Sequence, residues 1–513
     1  MKYSIESAIM PAEGTMNLTL RGDYFNGKFT QPTKADEQID RICPADLDLT
    51  LWSAKIDYSH IDAVLDSAAA GFKTWRLTSL EERIDYLKKF QAEADKRKDD
   101  LAHAIAWETG KPLWEAYTEA GAIGAKVNVT INDSLERVKN STINNVLPDI
   151  DGHFVYKPLG PSLVIGPFNF PCHLANTQIL AALVTGNSII FKPSEKTIVS
   201  SQILIECLDA AGFPAGVVNF INGTAHTTQT IIKDPRIKGI FFTGSHFVGT
   251  KILEAVGTDV SKLVALELGG KNTSIIHKDA DINHALPELL RACFLTCGQR
   301  CTSTSVIPVH RSIEQEFIAR FKEITEKIII DHPVNFKEDP FMGPLIDQMA
   351  LDKYNSSLKM GLENGATEIL AHKQLDMNGH YITPSIFHID SAKKSNPYTQ
   401  EEIFGPHCTF VPYDTIEEAI EISNISDYGL AAAIFTQDKK VYHECLRDID
   451  AGIINLNRST VGASARLPFG GVKNSGNHHP AAVSMIDATV HMISSLETMD
   501  NSSKIEDVKG LKN

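Results

Sequence analysis

The chain has 513 residues, a length that holds about two to four domains rather than one. Its 49 Lys and Arg against 64 Asp and Glu leave a net charge of −15, which excludes a general binder of nucleic acid or anionic membrane, because phosphate binding rests on clustered cations. With 43% hydrophobic and 22% charged residues it has the makeup of a globular protein with large cores, not of a disordered one.

At the N-terminus, Met1–Leu20 lacks the basic start and apolar run of a secretory signal, and no stretch of about 18 apolar residues follows to span a membrane. Eight cysteines scattered from Cys43 to Cys445 speak for a reducing cytoplasm rather than a disulfide framework. Ser59–Lys111 reads as two long helices. Ser79 and Glu82 make a capping box before an apolar stripe at Leu80, Ile84, Leu87 and Phe90. The stripe resumes at Leu101 and Ile105 and stops at Gly110 and Pro112.

From Pro158 strand and helix alternate. Strands are expected at Leu163–Gly166, Ser188–Phe191, Val217–Ile221, Gly239–Phe242 and Leu263–Leu268. Helices are expected at Leu174–Thr185, Ile198–Ala211 and Phe247–Val256, each stopped by a glycine. Such alternation implies a parallel sheet covered on both faces, which binds ligands beyond the carboxyl ends of its strands. A second α/β region, Leu268 to Ser475, has strand candidates at Thr304–Val309, Cys408–Val411, Ala431–Phe435 and Gly452–Leu456. Its helix over Asp281–Leu295 is expected to kink or restart at Pro287. The polar tail Asp500–Asn513 reads as loosely held.

Four segments carry chemistry. Cys301 follows the Asp281–Leu295 helix in a polar turn containing Gly298, where Arg300 and backbone amides favour a thiolate. A buried structural thiol fits the same residue, and Cys293, Cys297 and Cys301 would share one helix face, as a metal set might, though without CxxC or His partners. Glu267 ends an apolar strand; a carboxylate there should have a raised pKa suited to a general base, or should pair with a lysine. Gly244-Ser-His-Phe-Val-Gly249 follows a strand and opens a helix, so its amides can meet a pyrophosphate. Lys192 and Glu195 end another strand and suit ribose hydroxyls or plain solvation, and Asn169 suits either an oxyanion or a turn.

In order and spacing, including 34 positions from Glu267 to Cys301, these segments resemble the aldehyde dehydrogenase superfamily from about Tyr24 to Glu497. Gly166–Pro171, Lys192–Glu195, Phe242–Gly249, Leu266–Gly270, Gly298–Thr302, Glu401–Pro406 and Pro468–Gly471 carry the likeness. The resemblance implies Cys301 as nucleophile, Glu267 as the base for deacylation, and Asn169 with the Cys301 amide as oxyanion hole. It implies Gly244, Ser245, His246, Phe247, Val248 and Gly249 as pyrophosphate loop. Lys192 and Glu195 are implied at the adenosine ribose, and Glu402 and Phe404 at the nicotinamide. No metal is required. NAD is favoured over NADP because Glu195 would repel a 2′-phosphate.

The implied architecture is α/β: a Rossmann-type cofactor domain (20–139 and 160–266), a catalytic domain (267–475), a bridging sheet for oligomerisation (140–159 and 476–499) and a flexible tail (500–513). A cytoplasmic homodimer or homotetramer is expected. Trp107–Glu119, Phe168–Asn176, Ala451–Asn457, Gly476–Ala481 and Ser494–Glu497 are similar to the branch that oxidises N-succinylglutamate 5-semialdehyde. Arg458 and Arg466 then become candidates for a substrate carboxylate, since Arg pairs with carboxylates bidentately; a surface or interface role fits them equally. Other carboxylated semialdehydes, a CoA-acylating reaction and an inactive scaffold are the alternatives.

Overall fold

The computed structural model describes residues 19–499 and Gly510, so the expected tail lies outside the described residues apart from that glycine. Five strands, Leu263–Glu267, Gly239–Thr243, Ser162–Ile165, Ile189–Lys192 and Val218–Phe220, lie side by side and parallel. They are buried along almost their whole length, which is why they read as unbroken apolar runs. Two short antiparallel strands that sequence reasoning did not assign, Asp23–Phe25 and Lys28–Thr30, extend the sheet at one edge.

The second sheet orders Thr367–Leu370, Ser385–His388, His407–Tyr413, Thr304–His310, Asn272–Ile276, Ala431–Phe435 and Ile453–Leu456. All its pairs are parallel except the outermost, Thr367–Leu370 with Ser385–His388. Three of its seven strands, Thr367–Leu370, Ser385–His388 and Asn272–Ile276, were not foreseen. A third sheet pairs Val490–Thr498 with Ile150–Pro158 and that strand with Ser141–Leu147, all antiparallel.

The region expected as two long helices is three: His60–Trp75, Leu80–Lys96 and Lys98–Thr109. The Ser79–Glu82 capping box forms reciprocally, and Gly110 closes the third helix at φ 76°. The break at Arg97 has no Gly or Pro to announce it; Arg97 is held by Asp100 at 2.5 Å and by Glu206 at 3.2 Å, a contact only the folded chain provides. Pro287 does not restart its helix, which runs unbroken over Ile282–Phe294. No helix among the described residues is long and apolar enough to cross a membrane.

Candidate active site

Glu267 is the last residue of its strand, and after Gly269 and Gly270 the chain enters the second sheet at Asn272. The crossing between the two sheets therefore starts at this carboxylate. Glu267 is 1% exposed, and no hydrogen bond of normal geometry satisfies either carboxyl oxygen. Burial pushes its pKa up to about 8; the Cys301 thiol beside it pulls the other way, and the Glu402 charge adds to the rise.

Cys301 reaches this carboxylate because the helix Ile282–Phe294 stops short of it. Thr296, Cys297 and Gly298 all take positive φ, at 56°, 54° and 66°, so the chain turns sharply. This removes the shared helix face supposed for Cys293, Cys297 and Cys301, and the described residues hold no cluster of three or more potential ligands. Cys293 and Cys297 are buried, whereas Cys301 is half-buried. Asn272 Nδ2 donates to the carbonyls of Cys301, at 2.7 Å, and Ser303, at 2.9 Å, pinning the nucleophile turn to the second sheet. The two glycines before Asn272 are needed for close approach. A Cβ at Gly270 would stand 2.8 Å from the Cys301 carbonyl oxygen, and one at Gly269 would meet the Glu402 carboxylate at 2.1 Å.

The Cys301 thiol is pushed well above its ordinary pKa by burial first and then by Glu267; Glu402 adds to the rise and Arg300 opposes it. Burial and Glu267 thus outweigh the thiolate-favouring role expected of Arg300, whose guanidinium pairs with Glu115 at 2.5 Å. Asn169 Nδ2 donates to the Gln299 carbonyl at 2.9 Å, which places this amide against the nucleophile turn. The Asn169 carbonyl accepts from Lys111 Nζ at 2.8 Å, and Lys111 pairs with Glu119 at 2.6 Å with both side chains fully buried. Glu119 also accepts from the amides of Cys172 and His173. The Phe170 ring lies 3.7 Å from Lys111 Nζ and 4.9 Å from Arg300 Cζ.

Sequence reasoning missed Lys111, Glu115 and Glu119. Gly110-Lys-Pro112 was read as a helix stop and as part of the Trp107–Glu119 likeness, with no role given to its lysine. The usable signal was two glutamates four apart on a helix otherwise rich in apolar and small residues.

Lys192, Thr243 and Glu267 end three strands of the first sheet on one edge, with Thr243 in register with Glu267 and Ile165 with Lys192. Lys192 is buried, and its ammonium donates to the Pro193 carbonyl at 2.6 Å, leaving donors to spare. Half-buried Glu195 lies within its electrostatic reach. Ser245 caps the helix His246–Val256, accepting from Val248 N, and Phe247 on its first turn is 71% exposed. A Cβ at Gly249 would strike Leu268 at 2.7 Å. His246 stands edge-on to Tyr428. Glu402 accepts from Gly270 N at 3.1 Å, and burial lifts its pKa to about 7. Phe404 meets Phe168 edge-on at 5.9 Å. A buried ammonium with free donors, an uncovered helix N-terminus and an exposed aromatic along one sheet edge fit a dinucleotide.

The two arginines are not bonded into this pocket. Arg458 is exposed, and Arg466 pairs with Asp133 at 2.9 Å on the surface.

Comparison with known proteins agrees with this geometry. Residues 29–493 match the aldehyde dehydrogenase family. A curated N-succinylglutamate 5-semialdehyde dehydrogenase of Paraburkholderia xenovorans is 35% identical over 439 residues, covering 85% of this chain and 89% of that one. The crystal structure of Staphylococcus aureus betaine aldehyde dehydrogenase in complex with NAD+ superposes with a TM-score of 0.89 at 26% identity, covering 96% of this chain and 97% of that one. An E. coli structure described as an NADP-dependent enzyme gives 0.87 at 26% identity, covering 93% and 98%. The family match over residues 29–493 and the relative at 35% identity show that the chain belongs to the aldehyde dehydrogenase family and is an NAD(P)-dependent aldehyde oxidoreductase.

Proposed function

We propose that this protein oxidises N-succinyl-L-glutamate 5-semialdehyde to N-succinyl-L-glutamate with NAD, as a step of arginine breakdown. The observation that carries the chemistry is the unpaired Glu267 carboxyl beside the Cys301 thiol. Cys301, having given its thiol proton to solvent, bonds through Sγ to the aldehyde carbon, and Glu267 stays ionised for the later step. The carbonyl oxygen, gaining charge, takes hydrogen bonds from Asn169 Nδ2 and the Cys301 amide. When bound, the nicotinamide cofactor supplies the hydride acceptor that converts this adduct into a thioester. Glu267 then accepts a proton from water as the water attacks the thioester carbon, which releases the carboxylic acid and returns the thiol.

Lys192, Glu195, the loop Gly244–Gly249, Glu402 and Phe404 are the residues that would hold the cofactor. Glu195 supports NAD, since a carboxylate repels a 2′-phosphate. The substrate reading is supported by the name of the curated relative and by the stretches Trp107–Glu119 and Phe168–Asn176. Arg458 is free to meet a substrate carboxylate, whereas Arg466 would first have to leave Asp133. The first sheet would serve the cofactor, the second the nucleophile, and the third a homodimer or homotetramer. Eight unpaired cysteines fit a cytoplasmic setting.

The test is an aldehyde panel followed by NADH absorbance, with NADP in parallel. N-succinylglutamate semialdehyde should give the highest kcat/KM, ahead of glutamate and succinate semialdehydes. A higher value for either of those would reassign the substrate.

A further inference from the structure

The helix Leu113–Val129 buries a row of charged side chains on one face: Glu115, Glu119 and Lys126, spaced by four and seven residues. The first two have partners in the catalytic loops, Arg300 and Lys111. Lys126 is different. It is 4% exposed, and among the described residues its ammonium makes no hydrogen bond or ion pair. Burial alone pushes its pKa down to about 8.

Close by is His173, the first residue of the helix His173–Val184 and four positions after Asn169. Its Nδ1 is buried without a partner, although the residue as a whole is half-buried. Burial and then the charges of Lys126 and Lys111 hold its pKa to about 3, which keeps the ring neutral. The two helices are in contact here, His173 N donating to Glu119 and Asn176 Nδ2 donating to the Ile123 carbonyl at 3.0 Å, so the imidazole lies within electrostatic reach of the ammonium and four positions from Asn169. A buried cation with no partner penalises the folded chain, and a bound anion relieves that penalty. Farther along, past the end of the same helix, Asp133 holds Arg466, so the anionic member there is already neutralised.

We propose that Lys126 and His173 form the subsite that receives a carboxylate of the aldehyde substrate, the ammonium pairing with one oxygen and the imidazole donating to the other from its Nδ1–H tautomer. This rests on the reading of the substrate as an acidic semialdehyde. It adds which residues select it, and they are not the two arginines singled out by the sequence.

The experiment compares kcat/KM for N-succinylglutamate semialdehyde and for an uncharged aldehyde of similar length, hexanal, in the wild type and in Lys126→Met, Lys126→Arg and His173→Phe. The wild type should favour the anionic aldehyde. In Lys126→Met that preference should fall by about 10-fold to 100-fold, the range expected for a hydrogen bond to a charged group, chiefly through KM. Lys126→Arg should restore most of it, and His173→Phe should lose a smaller part. Because Met removes a buried unpaired charge, the thermal midpoint of Lys126→Met should equal or exceed that of the wild type, which separates lost binding from lost folding. A wild type with no preference for the anionic aldehyde would sink the substrate reading and this subsite with it. A wild-type preference that survives in Lys126→Met would overturn the subsite alone.

Discussion

Glu115 holds Arg300, the residue just before Cys301, at 2.5 Å, with the two side chains only 3% and 14% exposed. One turn along the same helix, Glu119 holds Lys111, which in turn holds the Asn169 carbonyl. A single helix therefore fixes both the Cys301 turn and the Asn169 loop. Breaking the first pair with Glu115→Ala should destabilise the protein by about 3–5 kcal/mol, because it strands a buried guanidinium. The double variant Glu115→Gln with Arg300→Met should recover most of that. Denaturant midpoints decide it. The Glu115 carboxyl is held below its ordinary pKa, with the Arg300 and Lys111 charges overcoming burial. Its contribution is therefore present above the unfolded value of 4.5 and is lost as pH falls through its lower folded value. Glu115→Gln should flatten this acid limb.

The raised pKa of Glu267 sets the pH profile of deacylation. The base is the ionised carboxylate, so the steady-state rate should climb as pH rises through about 8. Glu267→Gln should lose that limb and about 10²–10⁴ of the rate while keeping the first hydride-transfer turnover. A burst of NADH followed by a stall, seen by stopped flow, is the expected signature.

The same carboxylate suppresses the thiolate of Cys301. Labelling of Cys301 by iodoacetamide should be slow at neutral pH and should accelerate with pH. In Glu267→Gln the labelling curve should move to lower pH, since one of the charges that opposes the thiolate is gone. Mass spectrometry of the labelled peptide reads this directly, and an unmoved curve would mean that the two side chains do not interact in solution.

Asn169→Ala should reduce kcat by about 10²–10³, the usual value of one oxyanion donor. Lys111→Met should mimic part of this loss by releasing the Asn169 carbonyl, with a fall in stability that Asn169→Ala lacks.

The strand Ser141–Leu147 is exposed along its whole length, and Ile143, Leu147, Met492 and Leu496 present apolar side chains on the three-stranded sheet. This is the surface on which the proposed oligomer would form. Light scattering should give a dimer or tetramer, and the pair Met492→Asp with Leu496→Asp should shift the mass toward the monomer.

The sequence alone determined the five parallel strands of the first sheet, because fully buried strands must be continuous apolar runs and their boundaries are marked by glycines. It also singled out Cys301, Glu267 and Asn169, whose order and spacing carry the family likeness. It could not show Asn272–Ile276 as a strand: Asn272, Thr273 and Ser274 are polar, and their side chains find partners at Cys301, Ser303, Ser423 and Thr304 only once the chain has folded. Nor could it show that Thr296 and Cys297 leave the helix, which depends on the turn packing against Gly405, whose carbonyl oxygen would lie 2.1 Å from a Cβ at Gly298. Above all, the charged row on the helix Leu113–Val129 is legible as letters but not as a device. Glu119 meets Lys111 only 8 positions away, but its other partner Cys172 is 53 positions away and the Glu115 partner Arg300 is 185, and only the folded chain brings those loops to the helix.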